Sequence, residues 1–155
     1  FQLAGAMRIF HRIKPWLFLL LTLTLFNACR EALGKNDPVI ALLEVGPTTL
    51  VEYEDSLYIR LSFYDANGDL GENFTDDDNL FAVDDRMGVA HAYRISNLVP
   101  GGVNVAIQGE LEFLIPSVFL TGSGPSEELS YTIYVVDRAG HHSNNVNTGA
   151  LTVVE

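Results

Sequence analysis

The sequence predicts an all-β protein, an antiparallel β-sandwich behind an N-terminal signal segment, and three observations carry that prediction. Two stretches alternate apolar and polar residues with strict period two. Leu57, Ile59, Leu61 and Phe63 alternate with Tyr58, Arg60, Ser62 and Tyr64, while Ile107, Gly109, Leu111, Phe113 and Ile115 alternate with Gln108, Glu110 and Glu112. Such alternation marks a strand with one buried face. Beyond Asp37 no window repeats at the helical period, and Gly, Pro, Asn and Asp punctuate short apolar runs throughout, as expected of strands joined by turns.

The elements follow in order. Val39–Val45, after Pro38, reads as a first strand ended by Gly46-Pro47, and Leu50–Glu54 as a short strand or extended connection. Ser56–Tyr64 is the cleanest strand, and the segment from Asp65 to Asn79 is rich in turn residues. Leu80–Val83 is stopped by Asp84-Asp85, Ala90–Ile95 is a further strand, and Pro100-Gly101-Gly102 marks a turn before the Ile107–Ile115 alternation. Gly122–Ser126 reads as a loop. Tyr131–Val136, β-branched and aromatic, reads as a central strand. Asp137–Gly140 turns it into a last strand over Asn145–Val154. Six to eight short strands in this pattern fit an antiparallel sandwich of immunoglobulin-like type without its disulfide, since the single cysteine, Cys29, leaves no intrachain pair. An eight-stranded barrel is the alternative.

The N-terminal quarter carries a different signal. From Met7, the basic residues Arg8, Arg12 and Lys14 precede an apolar run, Trp16–Phe26, that is interrupted only by Thr22 and Thr24. Eleven residues at about 1.5 Å each cannot cross a bilayer core of about 30 Å, but they suit a signal-peptide core. The run ends in Asn27-Ala28-Cys29, which resembles the lipobox of bacterial lipoproteins, although Phe26 stands where Leu is usual. The resemblance implies that residues 1–28 are a signal segment starting effectively at Met7, without a role for Phe1–Ala6. It also implies that Cys29 carries the lipid, that 29–38 form a tether, and that 39–155 form the domain. Several acyl chains at one cysteine give stable anchoring where one is marginal. Arg30 rather than Asp after the cysteine favours the outer membrane, with surface and periplasmic faces both open.

Charge supports a location outside nucleic-acid biology. Net charge is −11, and three of the nine Lys and Arg precede Cys29 while all 20 Asp and Glu follow it. So acidic a body is repelled by phosphate backbones, which argues against nucleic acid as a partner.

The block Asp65–Gly71 with its preceding strand, the run NVAIQGELEF and the closing YTIYVVDRAGHHSNNV resemble small surface lipoproteins of the Bacteroidetes kind. These carry one immunoglobulin-like domain and are mostly of unknown function. The resemblance implies a fold and a location, and no catalytic activity.

One stretch carries chemistry. Asp65, Asn67 and Asp69 place side-chain oxygens at i, i+2 and i+4, a spacing from which a loop can curl around Ca²⁺. It is not an EF-hand, because Leu70 occupies the position that requires Gly for the sharp turn. In a sandwich of the expected kind, the loop after this strand and the loop before the last strand share one end. Asp137 would then join the set, with Asp76 of the Asp76–Asp78 run a weaker candidate. The competing reading is that Asp, Asn and Gly serve as turn residues there. His141 and His142, adjacent in a hairpin, should point apart. Glu110 and Glu112 share one exposed strand face rather than a cleft. Tyr58 and Tyr64 form a contact face only if no second sheet covers them.

These readings converge on a lipid-anchored envelope protein whose domain is a binding or structural module, possible Ca²⁺ included, that is not an enzyme. The protein or glycan partner stays open. The rival is a hydrolase or other enzyme on a β-barrel scaffold.

Overall fold

The computed structural model describes residues 36–71, 77–99 and 103–155. The expected signal segment, Cys29, most of the expected tether and the candidate ligand Asp76 lie outside the described residues. Ten strands follow in chain order: β1 (Val39–Gly46), β2 (Thr49–Val51), β3 (Leu57–Asp65), β4 (Leu80–Asp84), β5 (Val89–Tyr93), β6 (Ile107–Ile115), β7 (Ser126–Leu129), β8 (Tyr131–Val135), β9 (Val146–Asn147) and β10 (Leu151–Val154). The described residues are all-β with mainly antiparallel sheets, in keeping with a β-sandwich.

The two alternating stretches pair with each other. β3 and β6 run antiparallel over nine residues, from Leu57 opposite Ile115 to Asp65 opposite Ile107, without a bulge. β1 adds to the other edge of β3, with one register shift between Leu42 and Glu44, giving the order β1-β3-β6. Every second residue of β3 (Leu57, Ile59, Leu61, Phe63, Asp65) is buried, because period two sends those side chains to one face. A second sheet has the order β5-β4-β8-β9, and a third β2-β10-β7. β2 pairs with β10 in parallel, the exception to the antiparallel rule. Between β1 and β2 the chain passes through a cis Gly46–Pro47 bond.

Buried side chains from all three sheets form one core. Leu57, Ile59, Leu61 and Ile115 meet Leu80, Ala82, Ile133 and Val135 from the second sheet and Leu50, Leu129, Leu151 and Val153 from the third. Burying each of the larger aliphatics contributes about 1.5–3 kcal/mol.

The details correct several expectations. The strand at Leu50–Glu54 is confined to Thr49–Val51, and residues 52–54 form a turn, with Tyr53 at a φ of 61°. The last strand is two pieces, separated by the irregular residues 148–150, where Gly149 has a φ of 76°. Ser126–Leu129 is a strand that its polar sequence conceals. The sheets have free edges among the described residues, so they do not close into the alternative barrel.

Candidate functional site

β3 delivers Asp65 to one pole of the body, and β8 runs antiparallel to β4 so that its end delivers Asp137 to the same pole. Asp65 is fully buried. Its Oδ1 accepts from the Asn67 amide N–H at 3.2 Å and its Oδ2 from that of Leu70 at 2.7 Å, folding residues 66–70 back over the carboxylate. Leu70 is itself buried and anchors the loop in the core. Two glycines permit the path. Gly68 has a φ of 74°, and a Cβ there would lie 2.3 Å from the Val105 carbonyl oxygen; a Cβ on Gly71, with a φ of 94°, would lie 2.5 Å from that of Ser96. Ser96 and Val105, which lie between β5 and β6, therefore fit closely against this loop.

The β8–β9 turn closes on it from the other side. The Arg138 N–H donates to the Asp69 carbonyl at 3.1 Å. The Arg138 guanidinium donates to the carbonyls of Gly71 (2.8 Å) and Gly68 (3.3 Å) and to Asn97 Oδ1 (3.0 Å). Asp137, buried, accepts from the N–H groups of Ala139 and His141 at 2.9 and 2.8 Å, and its other oxygen meets His141 Nδ1 at 2.8 Å.

Asp65, Asn67, Asp69 and Asp137 thus come to one place. Burial, followed by the charges of Asp137 and Asp65, pushes the Asp69 carboxyl above its ordinary value, with the Asn67 side chain pulling the other way. The hydrogen bond and charge of Asp137 push His141 up, with Asp37 and Asp69 adding to the effect. Two oxygens in the cluster, Asn67 Oδ1 and Asp69 Oδ1, are buried and have no hydrogen-bond partner among the described residues. Among the described residues, no three His, Cys, Asp or Glu side chains are arranged so as to hold a metal ion. The cluster instead combines an amide oxygen and one carboxylate oxygen without partners with two carboxylates already engaged by N–H donors. A cavity of about 230 Å³ beside it is lined by Asp77, Asp78, Asn79, Val136, Asp137, Arg138 and Gly140. His142 turns away from His141, stacking on Tyr134, which stacks on Phe81.

Sequence reasoning missed Arg138, which holds the two loops together. Its place in a turn directly after Asp137 was the available signal. It also missed Asn79, whose amide pairs with both backbone groups of Ile95 at 2.6 and 3.2 Å and fixes the start of the supporting segment.

The opposite pole holds a second polar cluster. Arg86 meets both oxygens of the buried Asp84 at 2.7 and 3.1 Å, the Phe119 carbonyl at 3.1 Å and Glu127 at 3.4 Å. Burial and the Asp84 charge push the Tyr131 hydroxyl up to about 12. On the outer face of the β1-β3-β6 sheet, Tyr64 is exposed and Tyr58 partly so. Arg60 bonds Glu44 at 2.8 Å and Glu110 at 3.2 Å there.

No protein-family model, curated protein or solved structure matches the chain.

Proposed function

We propose that this chain is a lipid-anchored cell-envelope protein, held through Cys29 at the outer membrane, whose immunoglobulin-like domain is a binding or structural module stiffened at one pole by a hard divalent cation such as Ca²⁺. The observation that carries the cation reading is the pair of buried oxygens without partners, Asn67 Oδ1 and Asp69 Oδ1, beside the carboxylates of Asp65 and Asp137. Leaving buried acceptors unmet costs about 1–3 kcal/mol each, and several negative groups at one place repel. A cation taking oxygen ligands relieves both. The immunoglobulin-like reading is supported by the order of strands: a first strand on β3, then β2 crossing to lie parallel to β10, with β4 and β8 central in the facing sheet.

The test is thermal unfolding of the protein in EDTA and in millimolar Ca²⁺. A ligand of the native state raises stability by mass action, about 2.7 kcal/mol at a hundredfold excess over Kd. The expected result is a higher Tm in Ca²⁺ that Asp69→Ala abolishes; equal melting in both conditions removes the cation. Anchoring is checked separately by metabolic labelling with an alkynyl fatty acid, where label incorporated by the parent and lost in Cys29→Ala is expected.

A further inference from the structure

The long edge strand β6 carries an inference that goes beyond the envelope-module reading and stands on a different part of the molecule. β6 pairs only with β3 among the described strands. Its nine-residue register has no bulge and its sequence, IQGELEFLI, no proline, two devices that commonly blunt an edge. In an antiparallel pair, alternate residues turn both backbone groups toward the partner or both away from it. The Leu114 carbonyl accepts the Tyr93 hydroxyl at 2.8 Å, which identifies Leu114 as outward-turned. Gln108, Glu110 and Glu112 share its phase and present their N–H and C=O groups along the free edge.

The side chains define what fits there. Gln108, Glu110 and Glu112 are exposed on the outer face, whereas Ile107, Leu111 and Phe113 point inward and are only partly buried. An added strand would set every second side chain beside the glutamates and the intervening ones beside Leu111 and Phe113. Two hollows lie over the face of this sheet rather than at its edge, about 450 Å³ across β1, β3 and Gln108–Glu110 and about 360 Å³ over Tyr58, Glu112 and Leu114, so the backbone and side chains of β6 itself define the site. A second copy of β6 is disfavoured. Antiparallel self-pairing centred on Leu111 sets Glu110 opposite Glu112 twice, and like charges directly opposite destabilise a sheet.

We propose that the β6 edge binds an extended peptide segment of alternating basic and apolar residues by strand addition. Main-chain pairing supplies the affinity and the alternating side chains the selectivity. The net charge of −11 attracts such a ligand at long range.

The experiment measures fluorescence anisotropy of a labelled nonapeptide of alternating Lys and Val with the intact chain. Three comparisons accompany it: a peptide of the same composition with Lys and Val in separate blocks, one N-methylated on alternate amides, and the Glu110→Gln/Glu112→Gln variant, whose exposed sites leave the core untouched. The expected result is at least tenfold weaker binding in each comparison. Slowed amide exchange is expected at Gln108, Glu110 and Glu112 but not at the β3-facing positions. Equal binding of the block or N-methylated peptide, an unaffected variant, or protection elsewhere than β6 overturns the proposal.

Discussion

At Asp69, burial and the neighbouring carboxylates act together against ionisation. A carboxyl whose pKa is raised on folding holds its proton more tightly in the native state than in the unfolded chain. Stability from this group is therefore lost as pH rises from the ordinary value of 3.8 through the raised one. Without divalent cations, Asp69→Asn removes that penalty, and its Tm in EDTA at pH 7 is expected to exceed the parent's. With Ca²⁺ present the order reverses if the cation is bound. His141 has its own window. Its raised pKa means that stability is fully present below the unfolded value of 6.5 and is lost as pH rises through the folded one. Denaturant melts of His141→Asn between pH 6 and 8 should show a flatter dependence than the parent. Neither effect was legible in the sequence. The spacing of Asp65, Asn67 and Asp69 was visible, but their proximity to Asp137 depends on long-range strand pairing. The unpartnered oxygens depend on a loop path set by Gly68, Gly71 and the carbonyls beneath them.

At the scale of elements, side chains complete what short strands leave undone. Asn144 accepts from the Ile40 N–H at 2.9 Å and donates to its carbonyl at 2.8 Å, so one amide stands in for a strand partner at the free edge of β1. Asn144→Ala should cost about 1–3 kcal/mol in urea unfolding, the usual consequence of leaving part-buried backbone groups unmet. Arg86 does comparable work at the other pole. Removing it leaves the Asp84 carboxylate, 1 % exposed, without its cation. Breaking a buried pair costs about 3–5 kcal/mol, so Arg86→Met should lower the unfolding midpoint more than Asn144→Ala does. Alternation revealed β3 and β6 in advance because each has one wet and one dry face. β7 escaped because Ser126–Leu129 shows only one apolar residue, and the final strand read as continuous because Thr148 and Gly149 interrupt pairing without proline. Asn144 and Ile40 lie 104 positions apart, beyond the reach of any local pattern.

At the largest scale, the described residues of the body form one apolar core with a polar cluster at each pole. Ile133 and Leu61, both fully buried, belong to the same core, and truncating Ile133 to Ala should cost about 2–5 kcal/mol. The same experiment in EDTA and in Ca²⁺ should show nearly the same cost, because core and loop are separate sites whose effects add.

The pairing of β2 with β10 has a mechanical consequence. The two strands run in the same direction, and bonds from Glu52 N–H to the Val154 carbonyl (2.8 Å) and from Thr152 N–H to the Thr48 carbonyl (2.9 Å) bracket the contact. Tension applied between the start of β2 and Glu155 pulls parallel neighbours past each other, so these bonds share the load and fail together. An antiparallel terminal pair would open one bond at a time, like a zip. The short parallel seam is therefore a shear clamp, and the body should resist stretching along its length better than a three-residue strand suggests.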